Sequence, residues 1–303
     1  MKWKKLGHVF GPDGAFAWSR HSALQPTPYV MNDRIRVFCG FRDDDGQSRV
    51  GFVDVSLDDP CVVLRVSEKP VIDLGEIGHF DQNGVVPCAI LQAEQGIFLY
   101  YAGYQRGQDV RFTVFGGLAI STNGGETFER YSTEPVFGAT KDEPLFRVIH
   151  SILRENSTFR AWYGGGNVFT QGKKKTLPVY NIRYLESESA ITFPSRGSVA
   201  VENSPGEHRV GRPYVIRRGK EYIMFFGKGT EEVPYKLTYA TSKDGIEWER
   251  HGSISGLELS KKGWDSQMMA YPAIVEVQSG TYMFYNGNDY GREGFGCAKL
   301  VSW

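Results

Sequence analysis

Apolar residues in this chain come in short runs closed by glycine and charged turns, and long alanine- or leucine-rich stretches of helical period are missing. The stretch "HFDQNGVVPCAILQAEQGIFLYYAGY" (His79 to Tyr104) is representative. A carboxylate, Asp81, stands six residues ahead of Pro87; an apolar strand follows, then a polar turn with a glycine, then a strand rich in aromatics. That order predicts strand, tight turn, strand.

The same text recurs. "RPYVIRRGKEYIMFFGKG" places Pro213 twelve residues before Phe225, and "YPAIVEVQSGTYMFYNGN" places Pro272 twelve before Phe284. "TPYVMNDRIRVFCGFRDD" gives Pro28 and Phe38, and "FRVIHSILRENSTFRAWYGGGN" gives Trp162 with His150 where a proline would stand. The anchors fall near 28, 87, 150, 213 and 272, a period of roughly 60 residues that signals a repeat architecture. "STNGGETFER" and "SKDGIEWER" add an outer hairpin to the second and fourth units, with Phe128 or Trp248 packing back on the sheet.

Five units of this kind predict an all-β, five-bladed β-propeller in one domain spanning 1–303. Its blades lie near 20–75, 76–138, 139–202, 203–257, and 258–303 completed by 1–12. Two stacked sandwiches would not explain five evenly spaced copies. The fifth unit stops three strands after Pro272, while "WKKLGHVF" is an unpaired apolar strand; ring closure by that strand joining the last blade would remove an open edge.

Charge narrows the partners. Lysine plus arginine equals aspartate plus glutamate at 35 each, so no bulk field recruits nucleic acid or an anionic membrane. Four scattered cysteines (Cys39, Cys61, Cys88, Cys297) lack metal-ligand spacing, and three sit in strand-like contexts as buried thiols. No segment has the length of a membrane span, and the basic start lacks the apolar core of a signal peptide, so a cytoplasmic protein without metal or cofactor is expected.

Acids recur six or seven positions ahead of the anchors: Asp81, Glu143, Glu207 and Asp265 in units two to five, with His21 at that phase in unit one. In a propeller these positions would converge on one mouth, where crowded carboxylates acquire the split acid and base roles that glycosidic-bond chemistry needs. Singly, each acid reads equally well as a turn residue. The stretches "FDQNGVVPCAI", "EHRVGRPYVI", "TSKDGIEWER" and "WDSQMMAYPAIV" resemble the five-bladed glycosidase superfamily of arabinanases, β-xylosidases, invertases and β-mannoside phosphorylases. The likeness is nearest to members associated with surface-polysaccharide gene clusters. It implies glycosidic-bond chemistry, with Asp81 matching a helper acid and Glu143 an acid candidate. The arabinanase base in the first blade has no counterpart, since His21 and Ser22 stand there. Glu207 and Asp265, from neighbouring units, form the favoured catalytic pair, with Asp81 as orienter.

Around the same mouth, Arg42, Arg147, His150 and Arg212 suit an acidic or phosphate-bearing sugar, and Trp162, Tyr271 and Asn286 suit sugar stacking and hydrogen bonding. "QGKKKTLP" reads as an exposed basic loop. The sequence therefore points to a carbohydrate-active enzyme of polysaccharide or glycoconjugate metabolism, acting by hydrolysis, transfer or phosphorolysis. Its competitor is a sugar-binding propeller that has lost the chemistry.

Overall fold

In the computed structural model, which describes residues 1–108 and 110–303, the short apolar runs are strands and almost nothing is helical. Strand β1 (Lys2–Phe10) is followed by a first antiparallel sheet of β2 (His21–Val30), β3 (Ile35–Arg42), β4 (Ser48–Val55) and β5 (Val63–Val66). The second unit is β6 (Val85–Ala93), β7 (Gly96–Arg106), β8 (Phe112–Ser121) and β9 (Glu129–Arg130). The third is β10 (Phe146–Glu155), β11 (Thr158–Gln171), β12 (Thr176–Ser187) and β13 (Ser198–Val201). The fourth is β14 (Arg209–Arg218), β15 (Glu221–Gly229), β16 (Lys236–Ser242) and β17 (Glu249–Ser253). The fifth holds β18 (Ala270–Val277), β19 (Gly280–Asn286) and β20 (Phe295–Ser302), with the one-turn helix α1 (Asn288–Gly291) before its last strand. Strand β1 pairs antiparallel with β20 and is the fourth strand of that sheet.

Each sheet has two apolar faces and buries them against its neighbours. Phe38, Phe52, Leu99 and Tyr101 pack between units one and two, and Phe98, Ile149 and Tyr163 between two and three. Trp162, Val210 and Met224 fill the gap between three and four, and Trp3, Phe225 and Met283 that between four and five. A further core joins Val275, Phe284 and Cys297 of unit five to Ile35, Val37 and Cys39 of unit one. The first strands follow the same circuit: β2 touches β6, β6 touches β10, β10 touches β14, β14 touches β18, and β18 touches β2. The thiols of Cys39, Cys88 and Cys297 are buried and free, as their strand contexts predicted.

Units two to four are joined edge to edge by short parallel pairs, β8 with β10 and β12 with β14, and the outer hairpins work between units rather than within one. Phe128 of unit two meets Phe38 of unit one edge-on at 5.4 Å, and Trp248 of unit four meets Trp162 of unit three at 6.3 Å. Equivalent arginines complete the joint: Arg36 donates to the Gly124 carbonyl and Arg160 to that of Asp244.

The repeating acids have a structural partner twenty residues on. Tyr101 donates to Asp81, Tyr163 to Glu143 and Tyr285 to Asp265, each acid lying in the loop before a first strand and each tyrosine on the second. A cation closes every latch: Arg130 on Asp81 at 2.9 Å, Arg147 and Arg183 on Glu143 at 2.7 and 2.8 Å, and Lys5 on Asp265 at 2.7 Å. Glu207, whose unit has Phe226 near that place, pairs with Arg250 at 3.1 Å and Lys228 at 3.3 Å. Glycines make the room. A Cβ at Gly165 would stand 2.6 Å from Glu143 Oε1, and one at Gly117 would stand 2.1 Å from the Tyr101 ring, which accounts for part of the "GGGN" stretch without any ligand.

Removing the charge of Glu143 strands two guanidiniums in a largely buried site. Glu143→Gln is expected to cost about 3–5 kcal/mol of unfolding free energy. Glu207→Gln, whose cationic partners are more exposed, should cost about 1 kcal/mol. Urea midpoints of the two variants check the order.

Candidate functional site

Side chains that line the cavity come from first strands that each carry an extra residue. Pairing with the second strand slips by one between Leu24 and Thr27, Pro87 and Ala89, Ile149 and Ser151, Gly211 and Tyr214, and Ala270 and Ala273. Such bulges bend a strand and re-aim its side chains. The register also corrects the first anchor: Thr27 opposes Phe38 as Tyr214 opposes Phe225, so Pro26, twelve residues before Phe38, is the equivalent of Pro213, and Pro28 lies beyond the bulge. In units one, four and five the bulged residue precedes the proline and has positive φ: 51° at Gln25, 56° at Arg212 and 56° at Tyr271. Residues without glycine's freedom hold such angles at a cost of about 1–3 kcal/mol each, a form of strain that clusters at functional sites.

Gln25, His150, Arg212 and Tyr271 thereby line one cavity of about 780 Å³. Arg212, only 3% exposed, lies across the inner ends of several units. Its guanidinium donates to Thr27 Oγ1 at 2.9 Å, to the Cys88 carbonyl, and at 3.4 Å to that of His150. Higher up, Tyr104, Tyr180, Tyr235, Tyr271 and Tyr290 form an aromatic wall, with Tyr271 and Tyr290 stacked at 6.4 Å. Arg209 lies over the Tyr235 ring at 4.9 Å and donates to the Tyr290 hydroxyl.

Among the described residues, the charged side chains lining this cavity are all of one sign. Arg42, Arg106, Arg111, Lys175, Arg209 and Arg212 line it, and no Asp or Glu does among the described residues. None of the six belongs to an ion pair among those residues, whereas arginines in the latches are all paired. Seven buried side-chain nitrogens have no hydrogen-bond partner among the described residues, and five belong to residues that line the cavity: Nε of Arg42, Arg209 and Arg212, Nδ1 of His150 and Nε2 of His208. Those five nitrogens are themselves shielded from solvent, so the cationic side chains a ligand can reach are the partly buried Arg42 and the exposed Arg106, Arg111 and Lys175.

The two imidazoles are held neutral. Burial, reinforced by Arg212, drives the His150 pKa well below its ordinary value, and burial lowers that of His208. His208 Nδ1 donates to the Pro178 carbonyl at 2.9 Å, which fixes the ring in place. Arg42, which makes no side-chain hydrogen bond among the described residues, and the exposed Arg106, Arg111 and Lys175 offer cationic side chains to an anion.

Of the residues singled out by sequence, Arg42, His150, Arg212 and Tyr271 meet here. Asp81, Glu143, Glu207 and Asp265 do not: each is held in its own latch, and none lines the cavity. Arg147 belongs to the Glu143 latch and lies on the Phe137 ring at 3.8 Å. Trp162 is fully buried and donates to the Gly245 carbonyl, so it is sheet packing rather than a sugar platform. Asn286 is fully buried and fastens β19 to β2, accepting from Gln25 N and donating to the Ala23 carbonyl, both at 2.8 Å. His21 contacts Ser22 Oγ at 2.8 Å outside the cavity. Missed from sequence were Gln25, Arg106 and Arg111; His208 and Arg209, beside Glu207, and the run holding Lys175 stood out as basic without a place in the site. The dipeptides Gln25-Pro26, Arg212-Pro213 and Tyr271-Pro272 carried the signal, at the residue before each proline.

No family model matches the chain. The uncharacterised Mycobacterium tuberculosis (strain H37Rv) protein Rv1502 is 33% identical over 303 residues, covering 99% of each protein. Among solved structures, a glycoside hydrolase has a TM-score of 0.76 at 17% identity, over 99% of this chain and 92% of that one. A thermostable family-43 glycoside hydrolase has a TM-score of 0.69 at 14% identity, covering 94% and 90%. A structure reported for the GH130 family of mannoside phosphorylases, containing glycoside hydrolases that target β-1,2 mannosidic linkages in Candida mannan, scores 0.71 at 14% identity, covering 98% and 92%. The chain shares the fold of these glycoside hydrolase structures.

The neutral histidines set a pH response. An unfolded chain takes up protons near pH 6.5 that the folded His150, His208 and His21 refuse. Their contribution to stability is fully present above that pH and declines as pH falls below it. The depressed carboxyl of Glu207 enters only near or below its ordinary 4.5. His150→Asn is expected to flatten the loss of stability between about pH 6.5 and 5.5, read from urea unfolding across that range.

Proposed function

Because this protein belongs to the family of the M. tuberculosis protein Rv1502 and has the fold of glycoside hydrolases, we propose that it is a five-bladed β-propeller whose central cavity binds an anionic saccharide. The ring of core contacts, with β1 completing the fifth sheet, supports the blade count and the closure. The observation that carries the ligand class is the set of six cavity-lining cations outside any ion pair, in a site without carboxylates among the described residues. Guanidiniums recognise phosphate or carboxylate oxygens. The tyrosine wall suits the hydroxyls and the apolar face of a sugar ring.

A paired-carboxylate glycosidase mechanism needs an acid and a base flanking the bond. With Asp81, Glu143, Glu207 and Asp265 held in latches, the geometry favours binding over hydrolysis. A role in polysaccharide or glycoconjugate metabolism then rests on recognition of a charged sugar rather than cleavage of a neutral one.

Calorimetry with glucose 1-phosphate, galacturonate and glucose tests this. The two anions are expected to bind, and glucose to bind at least tenfold more weakly. Arg42→Met should weaken the anions by about 10–100-fold, the worth of a charge-assisted hydrogen bond. Equal binding of glucose would remove the anion reading, and steady nitrophenol release from nitrophenyl glycosides, with or without phosphate, would replace binding by catalysis.

A further inference from the structure

Two of the four cysteines meet at the joint between the first and last units. Cys61 lies in the turn between β4 and β5, and Cys297 lies in β20. Cys297 is a member of the core that joins unit five to unit one, and Cys61 packs against that core. The two thiols are hydrogen-bonded to each other, a contact that lowers the pKa of Cys61 and raises that of Cys297. Burial and the Asp59 carboxylate oppose the shift at Cys61 without reversing it. Cys297 thus donates its S–H, with a longer second acceptor in the Ala298 carbonyl at 3.8 Å, and Cys61 is the sulfur with thiolate character. Exposure divides the pair in the same sense. Cys61 is partly exposed, whereas Cys297 is fully buried. Cys39 belongs to the same core, but its thiol is directed at the Val37 carbonyl of its own strand.

Packing from both units keeps the sulfurs opposed. In the turn, the Cys61 amide donates to Asp59 Oδ1 at 3.0 Å and the Val62 amide to the Asp59 carbonyl at 2.9 Å. Ser279, between β18 and β19 of unit five, donates to the Leu57 carbonyl of the same turn at 2.8 Å. Cys297 is fixed by strands on either side, opposite Gly7 of β1 and Phe284 of β19. We propose that Cys61 and Cys297 form a disulfide by exchange with an external low-molecular-weight disulfide, fastening unit one to unit five. The Cys61 thiol gives its proton to Asp59, which accepts a hydrogen bond from it, or to solvent. The thiolate attacks one sulfur of the external disulfide, a mixed disulfide forms at Cys61, and one external thiolate leaves. Cys297 then loses its proton and attacks the Cys61 sulfur, and the second external thiolate leaves. Two protein thiols are oxidised and one external disulfide is reduced to two thiols. No reagent has to reach the buried Cys297. The new bond lies where the first and last units meet and stabilises the folded state by restricting the unfolded chain.

The test incubates the reduced, folded protein with glutathione disulfide, quenches with acid, and counts thiols after denaturation. Wild-type protein should fall from four free thiols to two with no glutathionyl group retained, and digestion should return a peptide pair linked through Cys61 and Cys297. Cys61→Ser should keep its remaining thiols. Cys297→Ala should stop at the mixed disulfide, with one glutathionyl group on Cys61. Oxidised wild-type protein should melt about 5 °C or more above the reduced form, a gain absent from Cys61→Ser. Because Cys61 sits in a turn, its substitution leaves the buried core intact, and the wild-type measurement needs no variant at all. Four thiols persisting in the wild-type protein, a stable glutathionyl adduct on its Cys61, or a cross-link through Cys39 or Cys88 overturns the proposal. A Cys61–Cys297 bond that forms without raising the melting temperature overturns its role in fastening the joint.

Discussion

One additional residue in the first strand of each sheet governs the geometry of this molecule. A regular antiparallel pair would send alternate side chains into the two intersheet cores and leave the centre lined by whatever the pleat presented. The register slip interrupts that alternation at equivalent places five times, and in three of them the backbone accepts positive φ at residues other than glycine. The proline that follows fixes its own φ and lacks an N–H, so it fits the interrupted ladder where another residue would leave a donor unmet. Gln25, Arg212 and Tyr271 reach the cavity because the backbone is held in this irregular path by packing on both sides.

The charge balance gains meaning once it is mapped. A protein with equal numbers of acids and bases presents a cavity with six cations and no acid among the described residues. The four acids that keep the repeat phase sit in the latches, where each satisfies a tyrosine hydroxyl or backbone amide and a basic side chain at a strand junction. The same repeat that supplies carboxylates to the outer joints withholds them from the bulges. Field from the cavity cations is consequently not cancelled locally, and low-dielectric walls strengthen it.

The fold was legible in the primary structure because its determinants are local: apolar runs of strand length, turn glycines, and aromatics at a fixed distance from an anchor. The pairing of "WKKLGHVF" with the last sheet follows from counting strands, although its register does not. The site was legible only in part. Asp81, Glu143, Glu207 and Asp265 keep the repeat phase faithfully, but periodicity reports equivalence of position and says nothing of direction. Direction depends on a bulge, and the bulge shifts the cavity-facing residue to the position beside the proline. His208 and Arg209 follow Glu207 directly and reach the cavity while Glu207 does not, a distinction one residue wide. The hairpin cations were visible as a basic run, yet only the length of β11 and β12 brings that run to the centre.

The partnership of β1 with β20 has a temporal consequence. As the polypeptide leaves the ribosome, four sheets can assemble in order, each on the one before it. The strand Lys2–Phe10, made early, meets its partner Phe295–Ser302 only when synthesis has passed through the fifth unit, and Trp3 must wait as long for Met283 and Ala298. Until then Lys5 has no Asp265, and the cations of the earlier units face one another without the last sheet beside them. Maturation of the cavity is thus coupled to the final step of assembly.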